Sequence, residues 1–146
     1  MGLDTSHDCW HGAYSAFTQW RHAVAEAAGY TIIRPGPLPT HPGVGQYPYV
    51  DLDWDVFEEK NYQGEWDRPP GDDPLLYLIV HSDCDGVIHP KEGRHLAARL
   101  EQLLPKLDGS FFGVRRGRTW SLRDLTEQFV VGLRKAAAAD EDVDFH

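Results

Sequence analysis

The block His81-Ser82-Asp83-Cys84-Asp85-Gly86-Val87-Ile88-His89-Pro90-Lys91-Glu92 constrains the fold more than any other part of the chain. Gly86 permits a sharp reversal that a Cβ would oppose. Asp83, Asp85 and Glu92 stand on either side of it and supply oxygen donors. Before the block comes the apolar run 75–80, with Leu75, Leu76, Leu78, Ile79 and Val80. After it, Pro90 sits where a helix can begin, and Leu96, Leu100, Leu103 and Leu107 recur at helical steps until Pro105 stops or kinks the chain near Leu104. The pattern predicts two elements joined by a tight polar turn. Asp73-Pro74 reads as a helix start, so 75–79 is expected to be a short helix, with a buried strand as the competing reading.

Elsewhere the periodicity is clearer. Ala13, Phe17, Trp20, Val24 and Ala27 predict an amphipathic helix over 13–28, ended by Gly29, and Thr31, Ile32 and Ile33 predict a short strand running into Pro35. Pro35, Pro37, Pro39 and Pro42 with Gly36, Gly43 and Gly45 make a loop, and 61–73 is rich in turn formers. In 50–56, Val50, Leu52, Trp54 and Val56 alternate with Asp51, Asp53 and Asp55, which predicts an extended segment presenting three carboxylates on one face. Ser121 and Asp124 form a capping signal for a last helix with Leu122, Leu125, Phe129, Leu133 and Ala136 on its apolar face, running to about Ala139. Val143 and Phe145, two apart, predict a tail that adds a short strand or docks on the core. The expected architecture is α+β: a single compact domain over 1–146, mostly helical with a small sheet, built around the turn between two elements.

Composition sets limits on partners. A chain of 146 residues with 41% hydrophobic content, five Trp, six Tyr and six Phe can sustain one core. Its net charge of −9 repels nucleic-acid polymers and anionic membrane surfaces. The longest apolar run is too short to cross a bilayer and the N-terminus lacks a signal core, so a cytoplasmic location is expected. Cys9 and Cys84 are too few for a disulfide framework and are read as thiols, although a single bridge would depend only on their distance.

The central block resembles the calcium loop of EF-hand proteins. Such loops need oxygen ligands at positions one, three and five, glycine at six, a backbone carbonyl at seven and glutamate at twelve. His81, Asp83, Asp85, Gly86, Val87 and Glu92 occupy those places, so the resemblance implies a divalent cation held by His81, Asp83, Asp85, Val87 and Glu92 with His89 nearby. The departure is His81, whose imidazole weakens calcium binding to about 10⁻⁴ M or worse, or points to zinc instead. On the bland reading, the Asp side chains cap backbone amides and no ion binds. Gly2-Leu3-Asp4, His7, Trp10-x-Gly12-x-Tyr14, the His-Ser-Asp-Cys-Asp-Gly block and the ending Val143-Asp144-Phe145-His146 also resemble a set of small bacterial and phage proteins. That resemblance spans most of the chain and implies a self-contained protein, with no activity attached.

Two further clusters carry chemistry. Asp4, His7, Asp8, Cys9, Trp10 and His11 gather metal-capable and proton-transfer groups. Cys9 and His11 with Cys84 and either His81 or His89 would make a zinc set, and His7 or His11 could serve as acid or base in a metal-dependent hydrolase acting on a phosphoester. The plainer reading is that these residues pack beside the first helix. Arg115, Arg116, Arg118 and Arg123 could hold an anion, with Trp120 or Trp10 stacking on a ring, against the alternative of a solvated loop. The favoured expectation is a noncatalytic cytoplasmic binding module, recognising a protein partner or small anionic ligand. The hydrolase and a protein that sequesters a nucleotide signal are the alternatives.

Overall fold

Aromatic residues from the two most strongly patterned helices meet at the centre of the molecule. Helix α1 (Tyr14–Ala27) buries Phe17, Trp20 and Val24, and the last helix supplies Phe129. The Trp20 and Phe129 rings lie 4.9 Å apart, and Phe17 and Trp20 5.7 Å apart. Burying such rings is a large share of core stabilisation, provided each indole N–H finds a partner. Trp20 Nε1 donates to Thr126 Oγ1 at 3.0 Å, and Thr126 in turn donates to the Leu122 carbonyl at 2.7 Å.

The computed structural model describes residues 2–33, 51–61, 73–107, 111–115 and 118–146, with side chains described except at 58–61, 111–115 and 118–120. The last helix, α5 (Leu122–Ala138), begins as the capping signal predicts: Ser121 Oγ accepts from Asp124 N–H at 3.0 Å, and Asp124 Oδ2 accepts from Ser121 N–H at 3.1 Å. Strands β3 (Ile32–Ile33) and β4 (Asp51–Leu52) pair antiparallel, after which helix α2 (Trp54–Asn61) starts at once. This overturns the extended segment expected over 50–56. Asp53 Oδ1 accepts from Val56 N–H at 3.2 Å, so the aspartate caps a helix and the three-carboxylate face does not form.

The run after Asp73 is helical. Helix α3 (Leu76–Ile79) buries Leu76, Leu78 and Ile79, with Asp73 Oδ1 accepting from Leu75 N–H at 3.0 Å. Helix α4 (Pro90–Leu103) has proline at its first position, buries Leu96, Ala97, Leu100 and Leu103, and packs along α5. Pro105 then lies in a single 3₁₀ turn over 104–106. Asp73 also fastens this region together: Tyr30 donates to it at 3.0 Å and Arg99 Nε at 3.0 Å.

The two chain ends join beside α5. Strand β1 (Leu3–Asp4) pairs with β2 (His11–Gly12), and β5 (Val87–Ile88) pairs with β8 (Val143–Asp144). Asp4 and His146 exchange backbone hydrogen bonds of 2.8 and 2.9 Å, while Phe145 N–H reaches the Gly86 carbonyl at 3.0 Å. The tail therefore lies between the N-terminal strand and the mid-chain turn, with Val143 and Phe145 buried. A hairpin of β6 (Phe111–Arg115) and β7 (Arg118–Ser121) leads into α5. The fold is α+β, as expected. The loop expected over 35–45 and most of 61–73 lie outside the described residues. Among the described residues no helix is long and apolar enough to cross a membrane.

Candidate functional site

The mid-chain turn borders a half-open cavity of about 340 Å³, lined by Tyr77 and Val80 from the α3 region, His81, Ser82, Asp85 and Gly86 from the turn, Val87 and Ile88 from β5, and His89 and Glu92 at the start of α4. Gly86 makes the reversal at φ +93°, where an L side chain is strained, and a Cβ there would also press on the His81 ring at 3.3 Å.

His81 holds the turn from within. Its Nδ1 lies 2.7 Å from the Ser82 carbonyl and its Nε2 3.1 Å from the Val87 carbonyl, while its ring lies 4.1 Å from that of Phe145. A neutral imidazole donates one N–H, so it satisfies one of these carbonyls at a time, whereas the doubly protonated ring donates to both. Arg21 of α1, itself buried, donates to the carbonyls of Leu78 at 3.4 Å and His81 at 2.5 Å, closing the end of α3. Burial disfavours the Arg21 charge and nearby Asp83 opposes that shift.

The predicted cation ligands are therefore divided. His81 and the Val87 carbonyl are partners of each other, Asp83 acts on Arg21, and Asp85 and Glu92 face the cavity without Asp83 among its lining. Among the described residues there is no group of three or more His, Cys, Asp or Glu side chains placed to hold a metal ion. Glu92 is the unsatisfied member: its Oε2 is buried and has no hydrogen-bond partner among the described residues. Such an acceptor is costly to leave unpaired. His89 Nδ1 pairs with Asp142 Oδ1 at 2.8 Å, and that hydrogen bond raises its pKa, fastening the cavity rim to the turn before β8.

The N-terminal cluster is committed to other contacts. His11 lies between Asp4 at 2.7 Å and Asp8 at 3.0 Å, and these hydrogen bonds raise its pKa. His7 meets Ser6 Oγ at 3.0 Å and Glu141 at 3.7 Å. Cys9 is buried against Gly132 of α5, and desolvation pushes its thiol up to about 12. Cys84 is exposed, and both cysteines are free, so the zinc set drawn from the two cysteines and the histidines is not assembled. Trp10, expected as a stacking residue, is buried against Phe17 at 5.2 Å and Trp20 at 5.3 Å. Its neighbours in the core leave it no ligand-facing surface.

Arg115 and Arg118 are opposite each other in the β6–β7 hairpin, Arg116 lies outside the described residues, and the side chains of Arg115, Arg118 and Trp120 are likewise undescribed. Arg123 donates to the Leu107 carbonyl at 3.0 Å.

Sequence reasoning named most of the polar rim but missed Tyr77, Val80 and Ile88 as cavity walls. Their apolar character looks like ordinary core, and only the fold shows that they border a cavity. No family model, no curated protein and no solved structure matches this chain.

Proposed function

We propose that this protein is a noncatalytic binding module whose mid-chain turn receives a small ligand, working in the cytoplasm. The observation that carries this reading is the coincidence of the cavity with the turn: one half-open space draws its walls from the α3 region, β5 and α4 and its polar groups from the block centred on Gly86. A cavity of about 340 Å³ is at the lower end of small-molecule sites, and a few polar groups set against apolar walls are their usual make-up. Cys84, an exposed free thiol, accords with a reducing compartment.

The experiment is a fragment screen read by amide-resolved NMR, repeated on Ser82→Trp, which fills the cavity from its exposed lip. Fragments that shift residues 81–92 in the native protein should lose that effect in the variant. A diverse library that moves none of these signals at millimolar concentration ends the reading. Calcium and zinc titrations run beside the screen, since a divalent ion shifting the same residues would make the turn a cation loop.

A further inference from the structure

We infer that the ligand of this cavity is a small organic cation, an ammonium compound with an apolar tail, whose N–H groups are accepted by Glu92 and Asp85. The inference rests on the reading of the cavity as a ligand site and adds the chemistry of the occupant.

Three observations converge. Glu92 lines the cavity and its Oε2 is buried with no donor among the described residues, so the fold presents an acceptor open to an incoming donor. A charged acceptor makes hydrogen bonds roughly twice as strong as a neutral one. The lining includes two carboxylates, Asp85 and Glu92, and no lysine or arginine among the described residues. Of the two histidines in the lining, His89 also feels the Glu92 charge but spends its Nδ1 hydrogen bond on Asp142 at 2.8 Å, and His81 lies against the Ser82 and Val87 carbonyls. Finally, Tyr77, Val80 and Ile88 give the same space an apolar side, which a methylene chain would cover.

The alternatives ask for something else. Calcium takes six to eight oxygen ligands, yet His81 already meets the Val87 carbonyl and Asp83 is not in the lining. An anion would enter beside two carboxylates in a protein of net charge −9. An ammonium group needs one or two charged acceptors and tolerates an apolar neighbour. The protein's overall charge would raise its local concentration.

The test uses three compounds with one tail and different heads: pentylammonium, pentanol and pentanoate. Binding is measured by calorimetry and by amide shifts at residues 77–92. Pentylammonium should bind, with pentanol and pentanoate at least about tenfold weaker. Glu92→Gln should weaken pentylammonium about tenfold or more and weaken pentanol much less, since an ammonium loses both a hydrogen bond to a charged acceptor and its opposite charge. The free Glu92→Gln protein should melt no lower than the native one, because an unpartnered buried carboxylate is not a source of stability. Asp85→Asn, at an exposed position, supplies a second variant and should weaken pentylammonium less.

Equal binding of pentylammonium and pentanol, stronger binding of pentanoate, or indifference to Glu92→Gln would overturn the cation while leaving the cavity a binding site. Calcium at about millimolar concentration displacing pentylammonium, or shifting these residues when pentylammonium does not, would overturn it in favour of an inorganic ion. Silence from all three compounds alongside fragment hits at residues 81–92 overturns the ligand class alone. Silence from the fragments too removes both readings.

Discussion

His11 and His81 are each gripped at both ring nitrogens, but by different kinds of oxygen. His11 lies between the carboxylates of Asp4 and Asp8, and His81 between the backbone carbonyls of Ser82 and Val87 with its face toward Phe145. The first arrangement pairs charges and closes the N-terminal strands. The second shapes a turn and leaves the adjacent Glu92 acceptor open. In sequence the two clusters look alike, with Asp, His and Cys within a few residues. The difference teaches that titratable groups mark a site only when the fold leaves some of their capacity unspent.

The N-terminal cluster should be the harder of the two to disturb without loss of fold. It sits on Gly132, where a Cβ would collide with Cys9 Sγ and come within 2.8 Å of the His7 carbonyl. Backbone cannot yield as a flexible side chain can, so Gly132→Ala should destabilise the protein by about 3 kcal/mol, read by urea denaturation. A change of under about 0.5 kcal/mol would show that the N-terminal 3₁₀ turn, Ser6–Asp8, lifts off α5 freely, which would make the two clusters alike in looseness. The turn already carries local strain, since His7 at φ 58° and Asp8 at φ 56° occupy the left-handed region without being glycine. Gln128, donating to the Asp8 carbonyl at 2.9 Å, holds it down from α5.

Thr126→Val comes next in size. It preserves shape while stranding the Trp20 indole N–H in the core, at a cost of about 1–3 kcal/mol. Because Thr126 bonds Trp20 and the Leu122 carbonyl and is not part of the cavity lining, ligand affinity should be unchanged while stability falls. A parallel loss of affinity would mean that the core and the cavity open together.

Much of this was legible from residues. Ser121 and Asp124 announced the cap of α5, Pro90 the first turn of α4, and Val143 with Phe145 the docking tail, because each depends on local geometry that recurs wherever those residues meet. The alternation over 50–56 misled. A hydrophobic period of two was outweighed by the preference of Asp53 to accept a helix N–H, a competition between local and longer-range patterns that spacing alone does not decide. The calcium-loop template located the turn and its glycine. It counts oxygens along the chain, whereas the Val87 carbonyl partners His81 and Asp83 acts through its charge on Arg21 of α1. Those partners come from tertiary structure and from the one departure at His81.

His81 separates shape from hydrogen bonding at the turn. His81→Phe keeps a ring beside Phe145 and removes both contacts to carbonyls, and should cost about 1 kcal/mol. His81→Ala also removes the ring contact and should cost about 1 kcal/mol more. Hydrogen exchange at residues 82–88 would read the difference. If both variants exchange like the native protein, the turn is held by β5–β8 pairing and Arg21, and His81 is a lining residue only.

The smallest expected effect is the one with a defined pH window. Hydrogen bonds from Asp4 and Asp8 raise the pKa of His11, and one from Asp142 raises that of His89. A raised folded-state value means that the native protein holds these protons more tightly than the unfolded chain. The resulting stabilisation is complete below the unfolded value of about 6.5 and is lost as pH rises through the higher folded values. Asp73 works in the opposite direction: burial would raise it, but hydrogen bonds from Arg99, Leu75 N–H and Tyr30 prevail and lower it, so its contribution is present above about pH 4 and fades as pH falls. Melting temperature should therefore decline between about pH 6 and 8, by roughly a degree or two. His11→Gln should flatten more of that slope than His89→Gln, since the His11 side chain is 34% exposed and that of His89 63%. The reverse order would place the stronger charge clamp on the cavity rim, and would make the mid-chain turn the region that responds to pH.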